Sequence, residues 1–333
     1  MKNKNKVVRF DRIGPAEVLE IHEEPERLPI ADEVLLDVDA FALNRADVMF
    51  RTGNYLEYPQ FPSRLGYEAS GTVKTVGPNV QTIKVGDKVS TVPAFSMGEY
   101  GVYGNSAIVP EHAIAKYPDN LSSLESTSIW MTYITAYGAL IEIGNIQEGD
   151  VVLLTAATSA VGLAAIEIAK SRNAKCIAVT RTTAKAEFLS NHGADFVIAL
   201  ENENLVERIG EITDARGVDL VFDPIAGELL EQLAQVTKPG GTIIEYGALA
   251  SEPTKYPLFT ALGKGLKIQG YTLFEITKDK DSLERAKSYV YQGLKKNIFS
   301  PIIDRTFKLE EIVEAHKYME SNEQKGKIVI TNT

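Results

Sequence analysis

From Val151 to Lys170 the chain reads as four consecutive apolar residues, a stretch of small side chains, then apolar residues at helical spacing. The run Val151-Val-Leu-Leu154 suits a strand buried on both faces, where no alternation is needed. Ala156, Ala157, Ser159 and Ala160 make the turn, and Val161-Gly162 leads into a helix continuing to Lys170. After it, Cys176-Ile-Ala-Val179 predicts a second buried strand, closing a strand–helix–strand unit of about 30 residues. The alternation then repeats. Helices are predicted over 183–191, stopped by Gly193, and over 205–212 and 228–236, with strands at 196–199, 218–222, 241–247 and 267–272. Strands alternating with helices at this interval mean a parallel, doubly wound sheet.

Upstream the pattern is different. Residues 7–114 show short, partly alternating runs, such as 34–40 and Gly71-Thr-Val-Lys-Thr-Val76, punctuated by Gly77-Pro-Asn79 and Gly86-Asp87. Such spacing predicts a small barrel or sandwich. Between these runs lies a polar, Gly-containing segment from Asn44 to Tyr55 that could line a cleft. A helix is expected over 126–143. The tail carries a helix ending at Gly293, a strand near Ile302, a helix over 309–318, and a last strand in Gly326-Lys-Ile-Val-Ile330 that could return to the first domain. The expected domains are 1–124 with 270–333, and an inserted 125–269, with a cleft between them.

The turn at Ala157–Gly162 is a candidate dinucleotide-phosphate site. The first N–H groups of a helix point outward unpaired, and its dipole favours an anion. Where the G-x-G-x-x-G pattern has its glycines this chain has Ala157, Ser159 and Gly162, so only the position for close helix–strand packing keeps its glycine. Candidate contacts there are Ala157, Ser159, Ala160, Val161 and Gly162. An NAD site usually ends its second strand with a carboxylate for the ribose hydroxyls. Here Thr180-Arg181-Thr-Thr-Ala-Lys185 supplies hydroxyls and two cations instead. Arg181 and Lys185 suit a 2′-phosphate, so NADPH is the expected cofactor, with Thr180 alongside. Ligands of such sheets gather at the carboxyl ends of the strands, which adds Asp223–Ala226 and Tyr246-Gly247.

Composition narrows the partners. At 333 residues two domains are expected, and 44% apolar residues can fill both cores. A net charge of −10 argues against nucleic acid or an anionic membrane surface, and MKNKNK at the start reads as a ragged terminus. The lone Cys176 excludes an internal disulfide and a Cys-rich zinc lobe, and its place in a strand makes it core. No apolar run reaches the ~18 residues of a membrane span, so a cytoplasmic protein is expected. His22, His112, His192 and His316 are not at ligand spacing and are expected to be surface or hydrogen-bonded residues.

Asn44-Arg-Ala-Asp47, Gly53-x-Tyr55, Leu65-Gly-Tyr67-Glu68-x-x-Gly71, Val85-Gly-Asp-x-Val89, Thr135-Ala-Tyr-Gly-Ala-Leu140, Ala157-x-Ser-x-Val-Gly162 and Gly326-Lys-Ile-Val together resemble the medium-chain dehydrogenase/reductase superfamily. Within it the chain is most similar to the zinc-independent, zeta-crystallin-like quinone oxidoreductases. The resemblance implies an α/β protein, a GroES-like β domain with an inserted Rossmann domain, and a homodimer. Zinc-dependent alcohol dehydrogenases of the superfamily hold their metal with a Cys at the position of Asn44, a His at Tyr67 and a Cys near Met131. An amide, a neutral phenol and a thioether replace these poorly on Zn²⁺, so no metal is expected. The implied activity is NADPH-dependent reduction of a small-molecule quinone or α,β-unsaturated carbonyl. By the resemblance Asn44, Asp47, Tyr55 and Tyr67 are catalytic candidates, with Tyr67 the first choice of polar donor and Tyr55 the second. Thr135 orients the nicotinamide, and Tyr55, Met131, Tyr133 and Phe274 wall the acceptor. A non-catalytic NADPH-binding protein, an enoyl-thioester reductase and a zinc alcohol dehydrogenase stay open as alternatives.

Overall fold

The protein is described here by a computed structural model covering residues 5–332. Its described residues form two compact units, one running through Met131 and resuming at Lys280, the other Thr132–Asp279. The junctions fall later than the expected 124/125 and 269/270. Side chains explain the first shift. Ser70 Oγ donates to Ser123 O at 2.6 Å, Trp130 Nε1 to Ser90 Oγ at 2.8 Å, and Met131 N to Glu68 Oε1 at 2.8 Å, so 123–131 stays with the β unit. At the second, Tyr271 is buried and its hydroxyl bonds Ile134 O at 3.4 Å, which keeps it in the other unit.

The Thr132–Asp279 unit is built on six parallel strands. Across the sheet they run Phe196–Ala199, Lys175–Thr180, Val151–Leu154, Val218–Asp223, Thr237–Glu245 and Lys267–Gly270. The order reverses beside Val151–Leu154, which is the switch point of a doubly wound sheet. Val151 and Leu153 join a core with Ile177, Val179, Val221 and Ile243, backed by Leu205, Ile209, Leu230 and Leu233 from two helices. Val152 and Leu154 point to the other face and are also fully buried. Burial on both faces is why this strand reads as an unbroken apolar run. Cys176 is buried, and burial raises its thiol far above neutrality.

The other unit holds a seven-stranded sheet, six strands of which run in the order Ile303–Lys308, Lys327–Thr331, Glu33–Ala42, Glu68–Val76, Lys88–Thr91 and Ile114–Ala115, while the seventh, Ser106–Pro110, also pairs with Glu33–Ala42. The last strand does return to the first: Val329 faces Ala42 in antiparallel register. This places Lys327 against Asn44 although they are 283 positions apart.

The segment after Asn44, left without an assigned element from sequence, is a helix, Arg45–Arg51, because Asp47 accepts the Asn44 N–H at 2.7 Å and starts the first turn. Three local expectations are corrected. The stretch 126–143 is broken into Ser123–Ser126, Trp130–Tyr137 and a wider turn at Gly138–Ile143. The helix expected to end at Gly293 runs Lys280–Lys295; Gly293 lies inside it because Phe299 packs where a Cβ would stand, 2.1 Å away. Of MKNKNK, Asn5 and Lys6 belong to the strand Asn5–Arg9, while residues 1–4 lie outside the described residues.

Candidate functional site

In the Thr132–Asp279 unit, the helix Ala160–Ser171 starts directly behind Val151–Leu154. Ser159 is its N-cap: the hydroxyl accepts Gly162 N at 3.0 Å and the carbonyl accepts Leu163 N at 2.9 Å. Among the described residues no acceptor meets the N–H groups of Ala160 and Val161, so both are available to an anion. A Cβ on Gly162 would lie 2.5 Å from the Ala157 carbonyl oxygen, a backbone atom that cannot yield without opening the turn. The left-handed residue of this turn is Ala156, at φ +45°. Ala157 donates its N–H to Val179 O at 3.2 Å.

Two of the expected contacts reach this turn, Lys185 and Tyr246. Thr180 ends the second strand and is buried, and Arg181 follows it, exposed. Lys185 reaches back with Nζ 3.4 Å from Thr158 Oγ1, which sets an ammonium beside the Ala157–Gly162 turn. Glu201 accepts the Thr183 N–H at 2.6 Å and hydroxyl at 2.8 Å, fixing the loop that carries both cations. Tyr246, beyond the end of its strand, stacks on Phe222 at 3.9 Å and hydrogen-bonds the Ser159 hydroxyl. Gly247 lies where a Cβ would meet Pro224 O at 2.8 Å. Thr135 is buried on the helix Trp130–Tyr137. Tyr133, expected in the acceptor wall, gives its hydroxyl to Glu167 Oε2 at 2.7 Å.

Sequence reasoning missed a carboxyl pair here. Asp223 and Glu245 are register partners on neighbouring strands. Asp223 accepts the Thr155 hydroxyl, and the Ala226 N–H at 2.6 Å. Burial, then the Asp223 charge, raises the Glu245 carboxyl well above the usual range, so it stays protonated at neutral pH.

In the other unit the catalytic candidates do come together. Asn44 Oδ1 accepts from Lys327 Nζ at 2.6 Å, and its Nδ2 donates to Glu68 Oε2 at 3.3 Å. Lys327 Nζ is also 2.5 Å from Glu68 Oε2, and both side chains are at most 2% exposed. The Asn44 amide is thus committed to a buried ion pair. Asp47, fully buried, accepts the Asn44 N–H and, at 2.8 Å, the Tyr103 hydroxyl on Oδ2, while Oδ1 has no partner. Burial, against Tyr103, Asn44 and Lys327, raises this carboxyl to about 7.

Tyr55 and Tyr67 are hydrogen-bonded to one another, with ring centroids 6.4 Å apart. Tyr67 is 1% exposed and Tyr55 is half-buried. Burial raises both phenols: Tyr55 to about 12, held down by its bond to Tyr67, and Tyr67 far higher. Of the two candidates Tyr55 is the more exposed, and its phenol is raised less than that of Tyr67. Lys327, Glu68 and Tyr103 were not singled out from sequence as site residues, although the Gly66-Tyr-Glu68 and Gly326-Lys motifs contain two of them.

His316 overturns its expectation. His22 is exposed near Glu20, and ring nitrogens of His112 and His192 meet Ala94 O and Leu163 O at 2.9 and 3.2 Å. His316 is fully buried, and neither ring nitrogen has a hydrogen-bond partner. Among the described residues no group of three or more His, Cys, Asp or Glu could hold a metal ion, and no helix is long and apolar enough to cross a membrane.

Residues 30–119 match the family described as alcohol dehydrogenase GroES-like domain, and residues 160–288 the family described as zinc-binding dehydrogenase. The chain is 29% identical over 333 residues to part of a phenolphthiocerol/phthiocerol polyketide synthase of Mycobacterium tuberculosis, matching 97% of this chain but spanning only 15% of that relative's length. It is 28% identical over 313 residues to the quinone oxidoreductase of Homo sapiens, covering 94% of this chain and 93% of the relative. Among solved structures, the Escherichia coli quinone oxidoreductase complexed with NADPH superposes with a TM-score of 0.91 at 26% identity, over 98% of this chain and 99% of that one.

Proposed function

The chain belongs to the medium-chain dehydrogenase/reductase superfamily as a quinone oxidoreductase-like protein, and from that premise we propose that it is an NADPH-dependent oxidoreductase reducing a quinone or an α,β-unsaturated carbonyl without a metal. The Ala157–Gly162 turn fits a dinucleotide phosphate on its own geometry: two outward N–H groups, a capped helix start and a glycine that lets the helix pack closely on the turn. Ala160 and Val161 bind the pyrophosphate, Arg181 and Lys185 the 2′-phosphate, Tyr246-Gly247 flank the adenosine side, and Thr135 orients the nicotinamide. Bound NADPH supplies the hydride.

The observation that carries the reading is the Tyr55–Tyr67 pair. A conjugated acceptor gains negative charge on oxygen as hydride arrives, and spreads it through its own π-system. A neutral phenol held in place can hydrogen-bond that oxygen, and Tyr67 donating to Tyr55 strengthens it as a donor. The metal-free reading is supported by what fills the Asn44 position. Its amide oxygen is occupied by the Lys327 ammonium, a fixed cation in a site with no thiolate or imidazole to offer Zn²⁺.

The test follows NADPH absorbance against a panel of quinones and enones. Turnover with Tyr55→Phe reduced at least tenfold is the expected result; NADPH binding without turnover on the whole panel would favour a non-catalytic binder. Arg181→Ala is expected to weaken NADPH binding about 10- to 150-fold, the worth of a charged hydrogen bond, with NADH binding little changed. Equal losses for both coenzymes would remove Arg181 from the site.

The partner at the sheet edge is a second copy of the chain. Lys267–Gly270 is paired on one side only. Nearby in sequence, Phe259 is 86% and Leu262 70% exposed on the helix Leu258–Lys264. An unpaired edge beside exposed apolar residues is self-complementary under two-fold symmetry. Sedimentation should give twice the 36.5 kDa chain mass, and Phe259→Glu with Leu262→Glu should give the monomer. A monomeric wild type would refute the assignment.

A further inference from the structure

We propose that Glu57 is a positioning residue for Tyr55: its carboxylate ties the segment carrying this phenol to residues 96–98, and so fixes where the hydroxyl is presented to the acceptor. The proposal rests on the reading of Tyr55 as donor given above. From Tyr55 to Gln60 exposure alternates, with Tyr55, Glu57 and Pro59 the less exposed and Leu56, Tyr58 and Gln60 the more exposed. The chemistry of that alternation is inverted. A carboxylate is on the inner side, while Leu56 is 71% and Tyr58 56% exposed. Solvation alone would turn the charge to water and the leucine to the core. Partners on the inner side must therefore hold Glu57.

Those partners are in the stretch Ser96–Gly98. Glu57 Oε1 accepts the Ser96 hydroxyl and, at 3.2 Å, the Gly98 N–H; Oε2 accepts the Met97 N–H at 3.1 Å. Bonds to an ionised acceptor are the stronger kind. A Cβ on Gly98 would stand 3.0 Å from Oε1, so a residue without a side chain makes room for the carboxylate. Ser96 is itself held, because its hydroxyl accepts the Glu99 N–H at 3.2 Å. The neighbouring residue reaches the other phenol: Phe95 packs on Tyr67 with ring centroids 5.5 Å apart. Residues 95–98 thus hold both members of the hydrogen-bonded pair, Tyr67 by a ring contact and Tyr55 through a carboxylate two residues along the chain. Tyr55 also meets Phe50 edge-on at 6.5 Å, an apolar contact that does not direct the hydroxyl.

Place and charge can be separated by substitution. The Glu57 charge disfavours negative charge on both phenols, and so works against an oxyanion developing beside Tyr55. What the residue contributes is place, and a neutral acceptor of the same shape should serve. Glu57→Gln keeps Oε1 for Ser96 and Gly98 and gives up the bond from Met97; Glu57→Ala gives up all three. With NADPH and a naphthoquinone both saturating, kcat of Glu57→Ala should fall about 10-fold, the scale of a reacting group displaced by a fraction of an ångström, with NADPH affinity little changed. Glu57→Gln should recover most of the rate, staying within about threefold of wild type. Ser96→Ala removes one bond from the opposite side and should lose about threefold.

A cycle with Tyr55→Phe separates positioning from general damage to the fold. If Glu57 acts through the phenol, Glu57→Ala should cost less than about twofold once the hydroxyl is gone. A loss of the full size in that background would overturn the proposal, as would a Glu57→Gln enzyme no faster than Glu57→Ala. A measurement without turnover accompanies the cycle. Ring-fluorinated tyrosine in place of Tyr55 should give the same fluorine resonance in wild type and Glu57→Gln, and a shifted, broadened one in Glu57→Ala. An unchanged resonance in Glu57→Ala would likewise overturn the proposal. Turnover unaffected by Tyr55→Phe, with a resonance that does change, would refute the donor reading above and uphold the tie between Glu57 and Tyr55.

Discussion

Lys327→Met is expected to destabilise the protein by about 3–5 kcal/mol, the cost of leaving a buried charge without its partner. Lys327 and Glu68 are 2% and 1% exposed, with Nζ 2.5 Å from Oε2. Without the ammonium, Glu68 keeps the Met131 N–H at 2.8 Å and the weaker Asn44 Nδ2 bond, and Asn44 Oδ1 loses its donor. The carboxylate must then take up a proton or draw in water. The double variant Lys327→Met with Glu68→Gln should recover all but about 1 kcal/mol, since replacing both charges of a buried pair is nearly neutral. Urea unfolding of wild type, both single variants and the double variant closes the cycle, with a coupling energy of at least about 2 kcal/mol expected. Additive single effects would mean that the two groups do not depend on one another.

That pair also shows which parts of the protein could be read from sequence. The six parallel strands were legible because buried strands such as Val151–Leu154 are apolar throughout and recur at a constant interval with helices between them. The Ala157–Gly162 turn was legible because its parts, a strand, Ser159, Gly162 and a helix, are contiguous. Its left-handed residue, Ala156, was not, since a pattern of small residues does not say which of them carries a positive φ. The Lys327–Asn44–Glu68 cluster was not legible as a site. Its members are brought together by the antiparallel pairing of Val329 with Ala42, a contact that local periodicity does not contain.

Burial was the other hidden quantity. Tyr67 and Tyr55 are chemically identical in sequence, and only their surroundings make one phenol more exposed and less raised than the other. The segment after Asn44 was legible only as polar and Gly-containing, with Asp47 and Arg51 charged. In the fold both are fully buried, and each is held by a partner far along the chain, Tyr103 and Glu320. Charged residues inside a short helix therefore marked the site, and a rule that assigns charge to solvent concealed it. His316 was misread for the same reason.

His316 should govern acid stability. It is fully buried, neither ring nitrogen is hydrogen-bonded, the Arg51 charge faces it, and Tyr103 packs against it edge-on. Burial, with Arg51 adding to it, lowers its pKa from 6.5 to about 3. A folded-state value below the unfolded one means that the unfolded chain binds the extra proton. The resulting loss is absent above about 6.5, grows as pH falls toward 3, and is complete below that. At pH 4 it amounts to about 3 kcal/mol, approaching 5 at lower pH. Paired carboxylates titrate in the same range, so the variant isolates the histidine. His316→Leu cannot take up the proton and removes two unpaired nitrogens, so it should match or exceed wild-type stability at pH 7.5 and exceed it by about 3 kcal/mol more at pH 4. Urea midpoints from pH 8 to 4 measure this directly. Parallel curves for the two proteins would mean that His316 finds a partner in solution, most simply a buried water between it and Arg51, whose Nε is likewise unpaired.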